Sequence, residues 1–387
     1  MLNVRPPIAD EETISSYVQR VAEANHCETT GWLVDGLAHS AESLGQDVAA
    51  IEKLAAMVDV PAEVLLRHAY VTEGRLVRHG EHLLPKDALR LRHRRVCPGC
   101  LSERPVLRWW WDLAPLRACP EHRLALMDRC PGCEKPLRAS TPSVVRCGCG
   151  YDLRCAAHQA ASPDAINVAS GFLALARGGR SGAFERLPSY VGLGEALEIC
   201  GVVARLQLLA SAQKPVRGSV LRRPDIADLM PDVFEVLRRW PGSLVEVLEA
   251  VIERRARKKN DQEAVMRPFY NALRNAHLTG TRTALIDASR EFLQKRFRTL
   301  PLGFAPGGDT LLKREEAEQL LRSQDHDGQP LYDYHARSFW DRHGRKLHVY
   351  RDSRENFYAR SELLRVAAQA KQEAPYAGQC RGQGGSA

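Results

Sequence analysis

Apolar residues recur at helical spacing through most of the chain. Near the N-terminus Ile14, Tyr17, Val18 and Val21 follow an acidic stretch at 10–12, which predicts a first helix over about 11–24. The same spacing predicts later helices from 163 to the glycines at 178–179 and at about 194–210, 226–239, 243–257 and 281–298. The predicted fold class is therefore mainly α.

Residues 46–68 form a helix-turn-helix candidate within a helical N-terminal domain predicted at 1–95. A helix from Gln46 to Met57 is followed by a turn, and Pro61 then opens a second short helix. The alternative is an αα-hairpin that packs only for its core. The turn lacks glycine, and the second helix offers only Arg67 and His68 as polar readers of DNA. The sequence leaves both interpretations open.

The C-terminal pattern predicts a winged-helix-like module at 309–371. An amphipathic helix at 312–321 precedes a loop at 325–328 and a basic helix at 332–343. Alternating residues at 347–350 and 356–358 predict two strands, and a last helix follows at about 360–371. This is the element order of a winged helix-turn-helix.

In that geometry the second helix would approach the major groove and the hairpin would contact phosphates. The helix residues concerned are Arg337, Ser338 and Arg342, and those of the hairpin are Arg351 and Arg354. Docking on a protein is the alternative use of the same shape. The segment at 300–308 is rich in proline and glycine and predicts a linker, and 372–387 predicts a disordered tail.

Charge adds a preference for a phosphate-bearing partner. The chain has 387 residues, and 55 Lys and Arg against 47 Asp and Glu leave a net charge of +8.

No apolar run approaches the roughly 18 residues that a membrane helix needs. Without an N-terminal signal sequence, the expected location is cytoplasmic and the expected partners exclude a membrane.

The candidate metal-ligating residues lie between positions 97 and 149. CPGC at 97–100, CPEH at 119–122, CPGC at 130–133 and CGC at 147–149 place eight soft ligands within 53 residues. Two ligands two residues apart on a tight turn can reach one ion, and four such ligands fill a tetrahedral site. Chain order predicts two structural zinc sites in a double zinc-finger or ribbon segment at 96–160, with these ligands: Cys97, Cys100, Cys119 and His122, then Cys130, Cys133, Cys147 and Cys149.

The spacing leaves two points of the zinc assignment open. The pairs could interleave, with the first and third sharing one ion, and Cys155 could replace Cys147 or Cys149. A catalytic zinc is not expected, because these pairs fill all four positions.

Two features beside the zinc ligands have competing interpretations. The basic run at 86–95 includes Arg90, Arg92, Arg94 and Arg95 and is either a solvated face or a phosphate contact. Trp109, Trp110 and Trp111 predict an aromatic core for a small zinc module, with stacking on a nucleobase as the alternative.

A second basic cluster ends the helix predicted at 243–257, within a helical domain predicted at 161–300. The cluster has two interpretations: its positive charge interacts favourably with the helix dipole, or it contacts nucleic acid. Its members are Arg254, Arg255, Arg257, Lys258 and Lys259.

Several of these motifs together resemble the TniQ family. They are Pro7, Asp10, Glu11, Ser15, Ser16 and Tyr17 near the N-terminus, Arg95 to Leu101 as R-x-C-P-x-C-L, Trp111 eight residues before Cys119 and His122, and Leu126 before Cys130 and Cys133. The family comprises target-selection proteins of prokaryotic transposons, related to the TnsD type and found also in CRISPR-associated transposons. The resemblance covers roughly 5–155. It implies a helical N-terminal domain that engages an AAA+ ATPase regulator of the TnsC kind, a zinc-finger middle and a helical part that addresses the target.

The expected function is therefore a non-enzymatic adaptor that links target DNA, or an RNA-guided CRISPR effector complex, to an AAA+ transposition regulator. No P-loop of G-x-x-x-x-G-K-[ST] form occurs, so ATP dependence would belong to the partner. The rival is a free-standing zinc-containing helix-turn-helix transcriptional regulator. A homodimer is also left open.

Overall fold

The structure is a computed structural model that describes residues 2–27, 29–35, 37–38, 44–138, 143–211, 218–256, 265–323, 336–352 and 355–373, without the side chains at 32, 34, 336–338 and 372–373. The chain forms two compact units, Met1–Leu285 and Ile286–Ala387. The segments predicted at 1–95 and 96–160 both lie in the first unit. Among the described helices, none has the length and apolar character needed to cross a membrane.

Short helices open the first unit. They are α1 at Ile14–Ala24, α2 at Gly31–Val34, α3 at Val48–Val58 and α4 at Ala62–Arg67. The Thr13 hydroxyl caps α1 by accepting from the Ser16 N–H, and the Asp47 carboxylate caps α3 by accepting from Ala49 and Ala50. Asp59 ends α3 in the left-handed conformation, with φ of 57°.

The pair α3 and α4 packs into the N-terminal core. Ile51, Leu54 and Leu65 are fully buried in one apolar cluster with the buried face of α1. His68, one of the two expected polar readers, has its Nδ1 2.8 Å from the carbonyl oxygen of Glu12, while Arg67 is exposed. These contacts favour the αα-hairpin interpretation over a DNA-reading helix.

A three-stranded antiparallel meander follows, which the pattern of apolar residues did not predict. Its strands are β1 at Val71–Glu73, β2 at Leu76–His79 and β3 at His82–Pro85. Gly74 and Gly80 occupy the two turns with positive φ, which a residue with a Cβ adopts only under strain.

In its described part, the metal-ligand segment contains a short α-helix and a short hairpin. The helix is α5 at Pro98–Glu103, and the hairpin pairs β4 at Ala118–Cys119 with β5 at Leu124–Ala125. These elements are too short to be stable alone, so neighbouring contacts hold them.

The rest of the first unit is helical, as predicted. Its helices are α6 at Pro163–Ala176, α7 at Leu193–Ala210, α8 at Ile226–Arg238, α9 at Gly242–Arg255 and α10 at Arg267–Asn275, of which α10 was not predicted. Phe172, Phe184 and Phe234 pack together with ring centroids 4.9 to 5.7 Å apart. A Cβ at Gly194 would lie 2.0 Å from the carbonyl oxygen of Leu83, so only glycine lets α7 approach β3 this closely.

Helix α11 at Thr279–Arg296 contains the boundary between the units, and the second unit then builds a four-stranded sheet. Its strands are β6 at Thr299–Pro301, β7 at Leu311–Leu312, β8 at Val349–Asp352 and β9 at Glu355–Ala359, in the order β6-β8-β9-β7. The predicted linker at 300–308 is therefore partly wrong, because β6 pairs in parallel with β8 and Phe304 is buried.

The described part of this unit also contains the helices α12 at Arg314–Arg322, α13 at Ala336–His343 and α14 at Arg360–Glu373. Leu321, Phe339 and Leu363 share its core. The order helix, helix, hairpin, helix is the order predicted for the module, with β6 and β7 added to the hairpin. The predicted loop at 325–328 and the tail from 374 lie outside the described residues.

We predict that His348 makes the stability of the second unit depend on pH. Its Nδ1 lies 2.7 Å from Oε1 of Glu362 and its Nε2 lies 2.7 Å from the carbonyl oxygen of Gln294. Both neighbours accept hydrogen bonds, so the protonated imidazolium satisfies both. The hydrogen bond to Glu362 raises the pKa of His348. A raised folded-state pKa stabilises the fold below the unfolded value of about 6.5, and the contribution is lost as pH rises through the folded value.

The measurement is the free energy of unfolding of the whole chain between pH 5.5 and 9, followed by a probe in the second unit. His348→Gln should flatten the decline with pH, whereas the exposed His93 replaced by Gln is the matched control and should keep it. An unchanged decline in His348→Gln would contradict the assignment.

Candidate metal centres

The first centre joins the start of α5 to the hairpin β4–β5. Cys97 precedes α5, Pro98 occupies the first helical position, and Cys100 lies one turn on. Cys119 ends β4, and His122 lies in the following turn. One ligand atom from each of Cys97, Cys100, Cys119 and His122 lies within 4.8 Å of the others. The Sγ of Cys100 is 3.6 Å from Sγ of Cys119 and 3.3 Å from Nδ1 of His122.

The second centre repeats the arrangement with four thiols. Ligand atoms of Cys130, Cys133, Cys147 and Cys149 also lie within 4.8 Å of one another. The Sγ of Cys130 is 3.6 Å from that of Cys149, and the Sγ of Cys133 is 3.9 Å from that of Cys147. A hydrogen bond from the Tyr151 N–H lowers the pKa of the Cys149 thiol to about 7, which favours the thiolate that a metal binds.

The structure brings together the two ligand sets predicted from chain order. Interleaving is therefore wrong, and Cys155, which is exposed, belongs to neither set. Each set supplies four thiol or imidazole ligands at tetrahedral spacing and could hold one metal ion. An ion held there would have all four positions filled by protein, which is typical of a structural centre.

Glycine inside each CPGC turn allows close packing against a ring. A Cβ at Gly99 would lie 2.5 Å from Cδ2 of His122, and one at Gly132 would lie 2.9 Å from Cδ2 of Tyr151. The His122 imidazole thus lies directly over the first turn. The two centres differ in exposure: the three cysteines of the first are buried, whereas Cys149 of the second is exposed.

Acidic side chains surround the first centre, and motif reasoning gave no indication of their contacts. Glu103, at the end of α5, has its Oε1 3.0 Å from Nε2 of His122. Glu121 accepts hydrogen bonds from Arg108 and Arg177. Glu11 binds the same two arginines.

This ion network connects the segment before α1, the metal-ligand segment and the end of α6. Burial alone would raise the pKa of Glu11, but Arg177, Trp110 and Arg108 outweigh it and lower that pKa. The network therefore holds Glu11 ionised at neutral pH.

Arg94 and Arg95, predicted as phosphate contacts, are buried instead. Arg94 donates to the carbonyl oxygens of Ser143 and Arg146, and Arg95 donates to those of Leu113 and Leu116. Burial lowers the pKa of both to about 10, so each remains charged. This corrects the prediction for these two residues, because their guanidinium groups bind the metal-ligand segment and are withdrawn from solvent.

The three tryptophans are all buried, with exposed fractions of 6% for Trp109, 0% for Trp110 and 1% for Trp111. The aromatic-core interpretation is supported, and stacking on a nucleobase is not open to these rings.

Near the tryptophans, the Tyr70 hydroxyl donates to Oδ2 of Asp112 at 2.7 Å. Withdrawal from solvent raises the pKa of that carboxyl to about 7.

The other nucleic-acid candidates fall into three groups. Arg90 donates to the carbonyl oxygens of Arg223 and Pro224, and Arg255 donates to that of Leu209. Exposed candidates are Arg92, Arg254, Arg342 and Arg351. Arg257, Lys258, Lys259 and Arg354 lie outside the described residues, as do the side chains of Arg337 and Ser338.

We expect the full chain, purified without chelator, to contain two bound metal ions, one for each ligand set. Cys97→Ser and Cys130→Ser should each lower the content to about one ion and loosen the surrounding segment, because metal binding there contributes to folding. Elemental mass spectrometry measures the content, and Cys155→Ser is the matched control with the content unchanged. A content near zero in the parent chain would refute both assignments.

Gly99→Ala should selectively weaken the first centre, because its Cβ would displace the imidazole of His122. We expect a loss of metal affinity of roughly tenfold or more, comparable to disturbing a ligand's supporting contacts. Gly148→Ala is the control, since a Cβ there meets nothing within 4 Å although it lies between two ligands of the second centre. Competition with a chelator gives both affinities, and equal affinities for Gly99→Ala and the parent would count against the packing described.

The match to a known family covers the first centre and the helices before it. Residues 3–126 match the family model of TniQ, which confirms the resemblance noted in the motifs. A search of curated proteins gave no significant match. The matched range includes all four ligands of the first centre and ends before the second. The chain therefore contains, at residues 3–126, a segment that matches the TniQ family.

Proposed function

We propose that this chain is a non-enzymatic adaptor that selects the target of transposition. It binds target DNA, or an RNA-guided complex already on that DNA, and an AAA+ regulator of the TnsC kind. The observation that carries the proposal is the TniQ match over 3–126, which includes α1 to α5 and the first centre. The ions that we assign to both centres are zinc, because zinc takes four thiolate or imidazole ligands without an open position.

The first unit supports the role of a rigid partner-binding body. The Thr13 N–H donates to the carbonyl oxygen of Leu107, and the Trp109 N–H donates to that of Glu11. The Leu107 N–H donates to the buried Ser16 hydroxyl at 2.9 Å. Through these bonds α1 is fixed to the segment that carries the metal ligands, so a protein that binds the helices meets one preformed surface.

The second unit supports contact with DNA. Arg342, Arg345, Lys346 and Arg351 are exposed on α13, the turn after it and the hairpin. Clustered exposed cations on a helix and a neighbouring hairpin suit phosphate contacts. We therefore include in the proposal that this module binds DNA in the manner of a winged helix.

The experiment that tests the function is capture of the AAA+ regulator from the same transposon by the immobilised full chain. We expect capture in the ATP-bound state and retention of target DNA in the same complex. Binding of an operator by the chain alone, with no capture of the AAA+ protein, would overturn the proposal in favour of a transcriptional regulator. Capture that requires a guide-RNA complex in place of free DNA would assign the RNA-guided route.

Charge reversal separates DNA contact from partner contact in the same assay. Arg342→Glu should weaken DNA binding several-fold and reduce the slope of log affinity against log salt by about 1. It should leave capture of the AAA+ protein unchanged. Lys295→Glu changes the charge equally on α11, where Lys295 pairs with Glu291, and is the matched control. Equal slopes for the two variants would remove α13 from the DNA interface.

A further inference from the structure

The two nitrogens of His122 face different partners. Nδ1 lies 3.3 Å from Sγ of Cys100 and 3.7 Å from Sγ of Cys119. Nε2 lies 3.0 Å from Oε1 of Glu103. This geometry leaves Nδ1 to bind an ion shared with the two thiols and Nε2 to donate its proton to Glu103.

Glu103 differs from the other carboxylates near this centre. Glu11 and Glu121 are both bound by Arg108 and Arg177. Among the residues that the structure describes, the contact recorded for the Glu103 carboxylate is the imidazole of His122. Glu103 and Cys100 both lie on α5, so the helix that supplies one ligand also supplies the group facing another.

We propose that Glu103 is a positioning residue for the first metal centre. By accepting the Nε2 proton it fixes the tautomer in which Nδ1 is free to bind the ion, and it holds the imidazole plane over Gly99. A carboxylate behind a ligating histidine also increases the basicity of the ligand. The inference rests on the proposed metal occupancy of this centre.

The structure also indicates the size of the effect. Loss of such a supporting group lowers metal affinity by about 10-fold to 100-fold. The Glu103 side chain is 66% exposed, and water can replace part of its hydrogen bond. We therefore expect the lower end of that range, about tenfold.

The test is cobalt binding to the full chain after removal of its metal, in competition with a chelator. The second centre has four thiolates and no histidine, so its cobalt spectrum differs from that of the first and serves as an internal reference. Glu103→Ala should weaken cobalt binding at the first centre about tenfold and shift its visible bands. The second centre should be unchanged.

Two further variants separate positioning from general stability. Glu103→Gln keeps an acceptor oxygen for the Nε2 proton and should restore most of the affinity. Glu134→Ala removes an exposed carboxylate beside Cys133 of the second centre and should leave both affinities unchanged. Equal weakening of both centres by Glu103→Ala would assign it a merely structural role and overturn the proposal.

The outcomes also distinguish this inference from the assignment of the metal. Parent-like cobalt binding and bands in Glu103→Ala would overturn the positioning role and leave the centre intact. Failure of the parent chain to bind cobalt at Cys97, Cys100, Cys119 and His122 would overturn the metal assignment and the inference with it.

Discussion

The middle of the first unit depends on one constraint, the convergence of four ligand atoms on one point. This convergence occurs at two places within 97–149. The ligands of the first centre lie on or beside a six-residue helix and a hairpin with two-residue strands, and such elements are not stable alone. Thiolates brought together without a cation repel one another, and a bound metal ion would remove that repulsion. On our assignment of two metal ions, the free energy of their binding would offset the conformational entropy lost in ordering these loops.

Around that constraint the protein uses charged and aromatic groups as internal supports. Arg94 and Arg95 bind main-chain carbonyls from inside, and Trp110 is fully buried while donating to Glu11. A buried guanidinium is tolerated only when it is hydrogen-bonded, because desolvation costs several kcal/mol. The middle of the unit is therefore held by an aromatic core and buried arginines as well as by its metal ligands. The same groups bring α1 into contact with the metal-ligand segment.

The sequence predicted the features that depend on local spacing. Helical periodicity located α1, α6, α7 and α8 to within a few residues, and the Cys-x-x-Cys turns identified both ligand sets. Features that depend on long-range pairing were not predicted. A strand of three or four residues between glycines has too few alternations of apolar and polar residues to be recognised from the sequence. Strand β6 has its partner 50 residues away and lies in a stretch whose proline and glycine content indicates a linker. Likewise, a basic run does not reveal which arginine turns inward, so Arg92 and Arg94 could not be distinguished from the sequence.

Exposure of the remaining cations explains why we assign the two contacts of the adaptor to different units. In the first unit Arg94, Arg95, Arg108 and Arg177 are engaged with protein carbonyls or carboxylates. A guanidinium engaged in this way would have to break those bonds to neutralise a phosphate, which leaves buried acceptors unsatisfied at about 1–3 kcal/mol each. The cations of α13 and the hairpin are exposed, and Arg351 donates to the exposed side chain of Asn356, so exchanging that bond for a phosphate leaves no buried acceptor unsatisfied. We therefore expect these exposed cations of the second unit to contribute to DNA affinity, and the proposal leaves the surface of α1 to α4 to the protein partner.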